Sequence, residues 1–572
     1  MAITLAQSPT RFNPFLWIAD QLRARKATFK DDLVAGVTVS LVAIPQSLAY
    51  AQLAGVPAYY GLYAGFIPTI IGALFGSSAQ LSTGPVAMTS LLTAASIAPL
   101  APKGSEAYIS LVVLLALLSG VFQVALGALR VGVLLNFLSH PVLMGFINAA
   151  ALIIGLAQFP TLLGIVPPHA DFFMMEVGQT MTHIADLNGY SLAFGMGAIV
   201  MLVMFKRFAP RWPGVLLTVA SLTIVSKLTD YAHAGNGAIV GAIPSGLPGL
   251  SVPPLNIQEI ITLIVPAFVI ALISFMEAMS SARIISIKTR IPWDENRELI
   301  GQGLAKIAAA FCYSMPVSGS FSRSALNLAT NARTSLSSII SALSVLLTLM
   351  FFTASLYHLP KPVLAAIIMM AVAGLFNFNN IKRAWKINPD DGLAGGVTFV
   401  TTLIFAPNIQ NGIMIGIVLS LILVQYRMMR PRVVKDLGLL DGCILRDAVN
   451  HDLPRLHPRL GTLRFDGALR FMNVSYFENA ILDVERLDPE IRYILVQGDG
   501  INALDASGVE MLISLVERLR GNNIHLAFSS LKYQAFDVFR RSGLTKILGE
   551  ENLFANDRDA VDTLLARLGK AA

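Results

Sequence analysis

Arg323 stands in an otherwise apolar stretch, inside the block PVSGSFSRSALN (Pro316–Asn327). An arginine at membrane depth is costly and by default marks an ion or substrate path. A helix opening at Ser320, Phe321 and Ser322 would add free backbone N–H groups and two hydroxyls, all donors suited to an anion. A matching block, LSTGPVAMTS (Leu81–Ser90), opens a second short apolar segment at Gly84-Pro85 and would supply the amides of Val86, Ala87 and Met88. Glu277 is the only acid between Glu259 and Asp294. A carboxyl group in a span is disfavoured in its charged form, which suits it to couple a proton. Ser281, one turn on, shares its face. Gln46 and Tyr50 lie one turn apart beside Pro45, which is expected to break the first span, and offer an amide and a phenol. Each has an ordinary reading as well. Arg323 could lock against Glu277 or a carbonyl, and Gln46 and Tyr50 could be packing. Lys306, a third charge inside a span, would pair with an acid or snorkel, and no role is assigned to it.

The elements that must hold these residues are membrane helices. Of the 572 residues, 55% are hydrophobic and 13% charged, against about 25% charged in soluble domains. An ordinary soluble enzyme of this size is excluded, and no nucleophile–base constellation is visible. Residues 1–432 carry 25 Lys+Arg and 15 Asp+Glu, and residues 433–572 carry 17 and 20. The break near Pro431 predicts three regions: an N-terminal cytoplasmic segment (1–32), a transmembrane domain (33–432) and a soluble cytoplasmic domain (433–572). The basic balance belongs to membrane topology, so no nucleic-acid partner is inferred. Cys312 and Cys443 fall on opposite sides of the break, and His140 and His169 stand alone. Neither a disulfide framework, a metal site nor a cofactor is expected. The polar, mixed-charge start shows no cleavable signal peptide.

Apolar stretches divided at Gly, Pro and polar breaks give about fourteen spans. With the N-terminus inside, 20 of the 25 cations before residue 433 fall in inside segments, which places both termini in the cytoplasm of a multi-pass protein of the cell membrane. The chemistry-bearing blocks recur after 231 to 235 residues, seven spans apart. Seven is odd, so the halves have opposite orientation. Inverted repeats with matched Gly/Pro-interrupted short helices mark the binding site of many carriers.

These residues resemble the SulP family of sulfate permeases and related anion transporters. PQSLAYAQLAGVPAYYGLYAGFIPTIIGALFGSSAQLSTGPVA (Pro45–Ala87) is similar to the family's signature, and GSFSRSALN (Gly319–Asn327) to its second half-helix. The resemblance implies a 7+7 inverted repeat of core and gate domains, with the anion held in the core and moved elevator-like. It places binding positions at Gln46, Tyr50, Val86, Ala87, Phe321, Ser322 and Arg323, beside the hydroxyl of Ser320. Glu277 at the eighth-span position favours sulfate–proton symport. Bicarbonate or dicarboxylate carriage, sodium coupling, a channel or an exchanger remain alternatives, as does a membrane-anchored signalling protein. The resemblance also suggests a homodimer.

Residues 440–572 alternate strands and helices, an α/β pattern that resembles a STAS domain, with a possible cytoplasmic regulatory partner. LRFDGALRFMN reads as two strands with a turn at Asp466-Gly467, and YILVQGD as a buried strand. In LDASG (Leu504–Gly508) the resemblance points to Ser507 as a phosphorylation site, while helix capping alone accounts for both Asp505 and Ser507.

Overall fold

The computed structural model describes residues 14–130, 139–165, 173–209, 212–233, 235–244, 246–247, 249–253, 255–442 and 444–570, with backbone only for 14–27 and 570. His169, Cys443 and the expected N-terminal segment before residue 14 lie outside them. The chain divides into two compact units, Met1–Ser420 and Leu421–Ala572.

The first unit is helical. Among the described residues, eight helical stretches are long and apolar enough to cross a membrane, one of them (Lys361–Ile387) joining the helices Lys361–Ala373 and Phe378–Ile387 across a short break. Six helices position the site: α1 (Pro14–Leu53), α2 (Ala87–Ile97), α3 (Glu106–Ala128), α4 (Ile257–Thr289), α5 (Glu295–Phe311) and α6 (Phe321–Ala329). At 1.5 Å per residue, the 11 residues of α2 and 9 of α6 reach about half of a ~30 Å hydrocarbon core. Both are half-helices, as their matched blocks predict.

α1 corrects one expectation. It runs unbroken through Pro45 for 40 residues, so Pro45 does not interrupt the first span, and residues 14–32 of the expected polar segment are helical. The proline only withholds a donor from the carbonyl of Leu41. α5 lies against α3 where Gly303 meets Gly120. A Cβ on either would come within 2.7 Å of the other's carbonyl oxygen, so only glycine permits this approach.

The second unit is an α/β domain. Its five-stranded sheet is ordered Arg432–Val434, Leu460–Asp466, Tyr493–Gln497, His525–Ser529 and Leu553–Phe554, the first pair antiparallel and the rest parallel. Side chains alternate between faces. Ile494 and Val496 pack with Phe477, Ile481, Leu512 and Leu515 of two helices. Leu495 and Ala527 pack with Val561 and Leu564 of the C-terminal helix. Burial on both faces is why YILVQ is nearly all apolar.

The second expected strand after Gly467 does not form. The backbone there makes one bridge, Leu469 to Leu504. Asn473 takes its polar groups instead: its Nδ2 donates to the Ala468 carbonyl and its Oδ1 accepts from the Arg470 N–H. Such local side-chain bonds compete with a ladder.

Candidate functional site

The two half-helices start from one strand pair. β1 (Ser82–Gly84) and β2 (Ser318–Ser320) run antiparallel, with Ser82 opposite Ser320 and Gly84 opposite Ser318. Antiparallel pairing sends the chain out of the two ends in opposite directions, so α2 and α6 begin at a shared centre. Ser324 Oγ accepts from the Ser82 N–H at 2.9 Å, and Asn327 Nδ2 donates to the Gln80 carbonyl at 3.2 Å, fixing β1 to α6.

Arg323 crosses from α6 back to β1. Its guanidinium donates from Nη1 to the Pro85 carbonyl at 2.9 Å and from Nε to Ser82 Oγ at 3.4 Å. Nη2 is buried without a partner. Gly84 makes room for it, because a Cβ there would stand 2.9 Å from Nη2. Arg323 forms no ion pair with Glu277 among the described residues, so a lock onto a backbone carbonyl is seen and a lock onto the acid is not.

The helix starts differ in a useful way. α2 is capped by Val86, which has no side-chain oxygen to offer, and every residue of α2 is buried. The N–H groups of Ala87 and Met88 therefore lack both an intrahelical acceptor and a side-chain cap. At α6, Ser320 Oγ accepts from the Arg323 N–H at 3.4 Å and lies 3.5 Å from Ser322 Oγ. Phe321 is 49% exposed and Ser322 exposed, so this end is open.

α1 and α4 pack against these helices. Gln46 and Tyr50 are both buried, and Gln46 Oε1 has no partner. Glu277 is half-buried with Oε2 unpartnered. Tyr50 and Glu277 lie within electrostatic reach of Arg323. Among the described residues, the Ser281 hydroxyl donates to the Glu277 carbonyl one turn back at 3.2 Å. Tyr50, Glu277 and Arg323, from three helices, thus lie within reach of one another beside the start of α2, and buried polar groups left unpaired there are costly unless something fills the space. No cluster of three or more His, Cys, Asp or Glu able to hold a metal occurs among the described residues.

Sequence reasoning missed what supports the strand pair. Glu298, Gln302 and Lys306, four residues apart on α5, are all at most 1% exposed. Gln302 Nε2 donates to Thr83 Oγ1 of β1 at 2.8 Å and to Glu298 Oε1 at 3.0 Å. Glu298 Oε2 accepts from the N–H groups of Ser77 and Ser78 at 2.8 and 3.0 Å. Lys306 does not snorkel and forms no ion pair among the described residues, although Glu277 lies within its electrostatic reach. Its Nζ donates to Gln123 Oε1 at 2.7 Å and to Ser274 Oγ, and Ser318 Oγ of β2 donates to the Ser274 carbonyl at 2.8 Å. The signal was there in the i, i+4, i+8 spacing of polar residues within a span. Asp32, at the expected domain edge, is fully buried and accepts from the N–H groups of Arg333 and Thr334.

In the second unit Asp505 caps the helix Ala506–Gly521, its Oδ1 accepting from the Gly508 N–H at 2.9 Å and its Oδ2 from the Phe471 N–H at 2.8 Å. Ser507 is exposed on the first turn.

Residues 29–398 match the family model described as the sulfate permease family, and 454–560 match the STAS domain. The chain belongs to the sulfate permease family. Among relatives of this member, "Probable sulfate transporter 4.2" of Arabidopsis thaliana is 31% identical, over 96% of this chain and 83% of that protein. A probable sulfate transporter of Mycobacterium tuberculosis is 30% identical, over 94% and 96%. The murine solute carrier 26 family member A9 anion transporter, solved in its inward-facing state, is similar with a TM-score of 0.89, at 20% identity, over 99% of this chain and 96% of that one. The transmembrane domain of the cyanobacterial bicarbonate transporter BicA is similar with a TM-score of 0.59, at 22% identity, over 69% and 97%. These likenesses show the fold: a multi-pass helical membrane domain followed by a STAS domain.

Proposed function

We propose that this family member is a secondary active carrier of a small inorganic oxyanion, with sulfate its first substrate, moved in symport with protons. One observation carries the reading. Where two half-helices start from one strand pair, the Arg323 guanidinium keeps Nη2 buried and without a partner. An oxyanion there would take the spare Arg323 donor as a charge-assisted hydrogen bond. The Ala87, Met88, Phe321 and Ser322 amides and the positive ends of both half-helices would complete its shell. Gln46 and Tyr50 would orient it from α1.

Coupling follows from charge. An ionised Glu277 repels an arriving anion across a site of low dielectric, and a proton on its carboxyl removes that repulsion. Each ligand then favours the other, which is the linkage a symporter requires. Elevator-like motion would carry the strand pair and its half-helices past a gate. The reading includes both termini in the cytoplasm of the cell membrane, a homodimer, and a STAS domain that receives a regulatory partner, with Ser507 as its modification site.

Uptake of radiolabelled sulfate into proteoliposomes tests the proposal. An inward proton gradient should stimulate saturable uptake. Uptake indifferent to the gradient removes the symport claim, and competition by bicarbonate or a dicarboxylate in place of sulfate reassigns the substrate.

A further inference from the structure

α7 (Phe378–Ile387) joins the apolar helix Lys361–Ala373 to α8 (Pro389–Ile404). No residue of α7 is buried. Its break from the preceding helix is fixed by Asn148, whose Oδ1 accepts from the Asn377 N–H at 2.8 Å. α7 packs beside α8, and a Cβ on Gly392 would meet the Trp385 Cα at 2.6 Å.

The sequence FNNIKRAWKI separates two faces at helical spacing. Phe378, Ile381 and Trp385 share one side, and Phe378 and Trp385 stay 45% and 53% exposed although large and apolar. Lys382, Arg383 and Lys386 occupy the adjoining arc, all exposed. None of the three makes an ion pair or a side-chain hydrogen bond among the described residues. Three unpaired cations cannot rest in hydrocarbon, and the exposed parts of Trp385 and of Phe378, whose ring otherwise meets Phe376 and Phe399, gain nothing in bulk water. Both demands are met at the membrane boundary, where a helix tied to two apolar helices must in any case emerge.

We propose that α7 is an interfacial helix that binds acidic phospholipids, with Phe378 and Trp385 seated at the acyl boundary and Lys382, Arg383 and Lys386 holding anionic headgroups. Topology alone would account for cations on this loop. It would not require them to form an arc beside an exposed Trp. The proposal is independent of the transported substrate.

The test uses the full chain in phosphatidylcholine vesicles carrying equal small fractions of dibrominated phosphatidylglycerol or dibrominated phosphatidylcholine. The chain has four tryptophans, so the fluorescence lost in Trp385→Phe isolates the α7 signal. Quenching of that component should be about threefold stronger by the brominated acidic lipid. The preference should vanish in Lys382→Gln/Arg383→Gln/Lys386→Gln. Equal quenching by the two lipids, or a preference that survives the triple substitution, overturns the proposal. Should that variant fail to insert, salt supplies the same reading in the wild type. At about 1 M the screening length falls to about 3 Å, and a preference that persists there is not headgroup electrostatics.

Discussion

Replacing Arg323 by methionine separates an anion-binding arginine from a structural one. The side chain is nearly isosteric along its stem and brings no charge. Two effects follow from the geometry. The Pro85 carbonyl loses its 2.9 Å donor, and a buried acceptor left unsatisfied costs about 1–3 kcal/mol of apo stability. The anion loses the spare Nη2 donor. A hydrogen bond to a charged group contributes about 1.5–3 kcal/mol, roughly a 10- to 150-fold loss of affinity. The assay is anion-dependent thermal stabilisation of the purified protein. Sulfate at about 100 times the wild-type Kd stabilises by about 2.7 kcal/mol. After a 100-fold loss of affinity the same concentration stabilises by only about 0.4 kcal/mol. Without ligand Arg323→Met is thus less stable than the wild type, and sulfate stabilises the variant far less than it does the wild type. Arg323→Lys should fall between them, since an ammonium keeps the charge but not the planar fork. If Arg323→Met is less stable yet keeps its sulfate affinity within about threefold, the guanidinium is a clasp on Pro85, and the anion is held by the helix amides alone.

Glu277→Gln should abolish stimulation of uptake by a proton gradient while sulfate still stabilises the detergent-purified protein; an unchanged pH response of uptake would remove Glu277 from coupling. Lys306→Met leaves Gln123 Oε1 and Ser274 Oγ without their cationic donor and should cost about 2–4 kcal/mol in thermal unfolding, whereas a neutral result would mean the pair rearranges around an apolar chain. In the soluble unit, the Asn450 backbone N–H, with help from its side chain, the Val449 N–H and Arg432, holds the Asp447 carboxyl below the usual carboxylate range. A lowered folded value means its support is present above the unfolded value and is lost as pH falls through the folded one. Protection of the Val449 and Asn450 amides, measured against their intrinsic exchange rates, should therefore fall on acidification, and Asp447→Asn should flatten that dependence; identical pH profiles of protection would count against the assignment.

Much of the site was legible because membranes make charge informative. Arg323 and Glu277 are conspicuous in apolar sequence, and the Gly84-Pro85 and Ser318–Ser320 interruptions repeat at matched positions. Pro45 misled for a physical reason: one missing N–H does not stop a helix whose neighbours already fix its path. The tail's alternation read correctly where both faces are apolar, as in Tyr493–Gln497. It failed after Gly467, where Asn473 satisfied the backbone locally.

The sequence by itself determined the two-part architecture, the half-helices and which charged residues needed explanation, because hydropathy, helix breaks and charge scarcity are local properties of the chain. Only the tertiary structure decided that Ser82 faces Ser320, that Arg323 fastens to Pro85 and keeps one donor spare, and that Gln302 and Lys306 brace the strand pair from behind. Those contacts join residues more than 30 and up to 241 positions apart. Close packing of small residues such as Gly84, Gly120 and Gly303 sets their partners, and nothing in the local pattern around any one of them names the other.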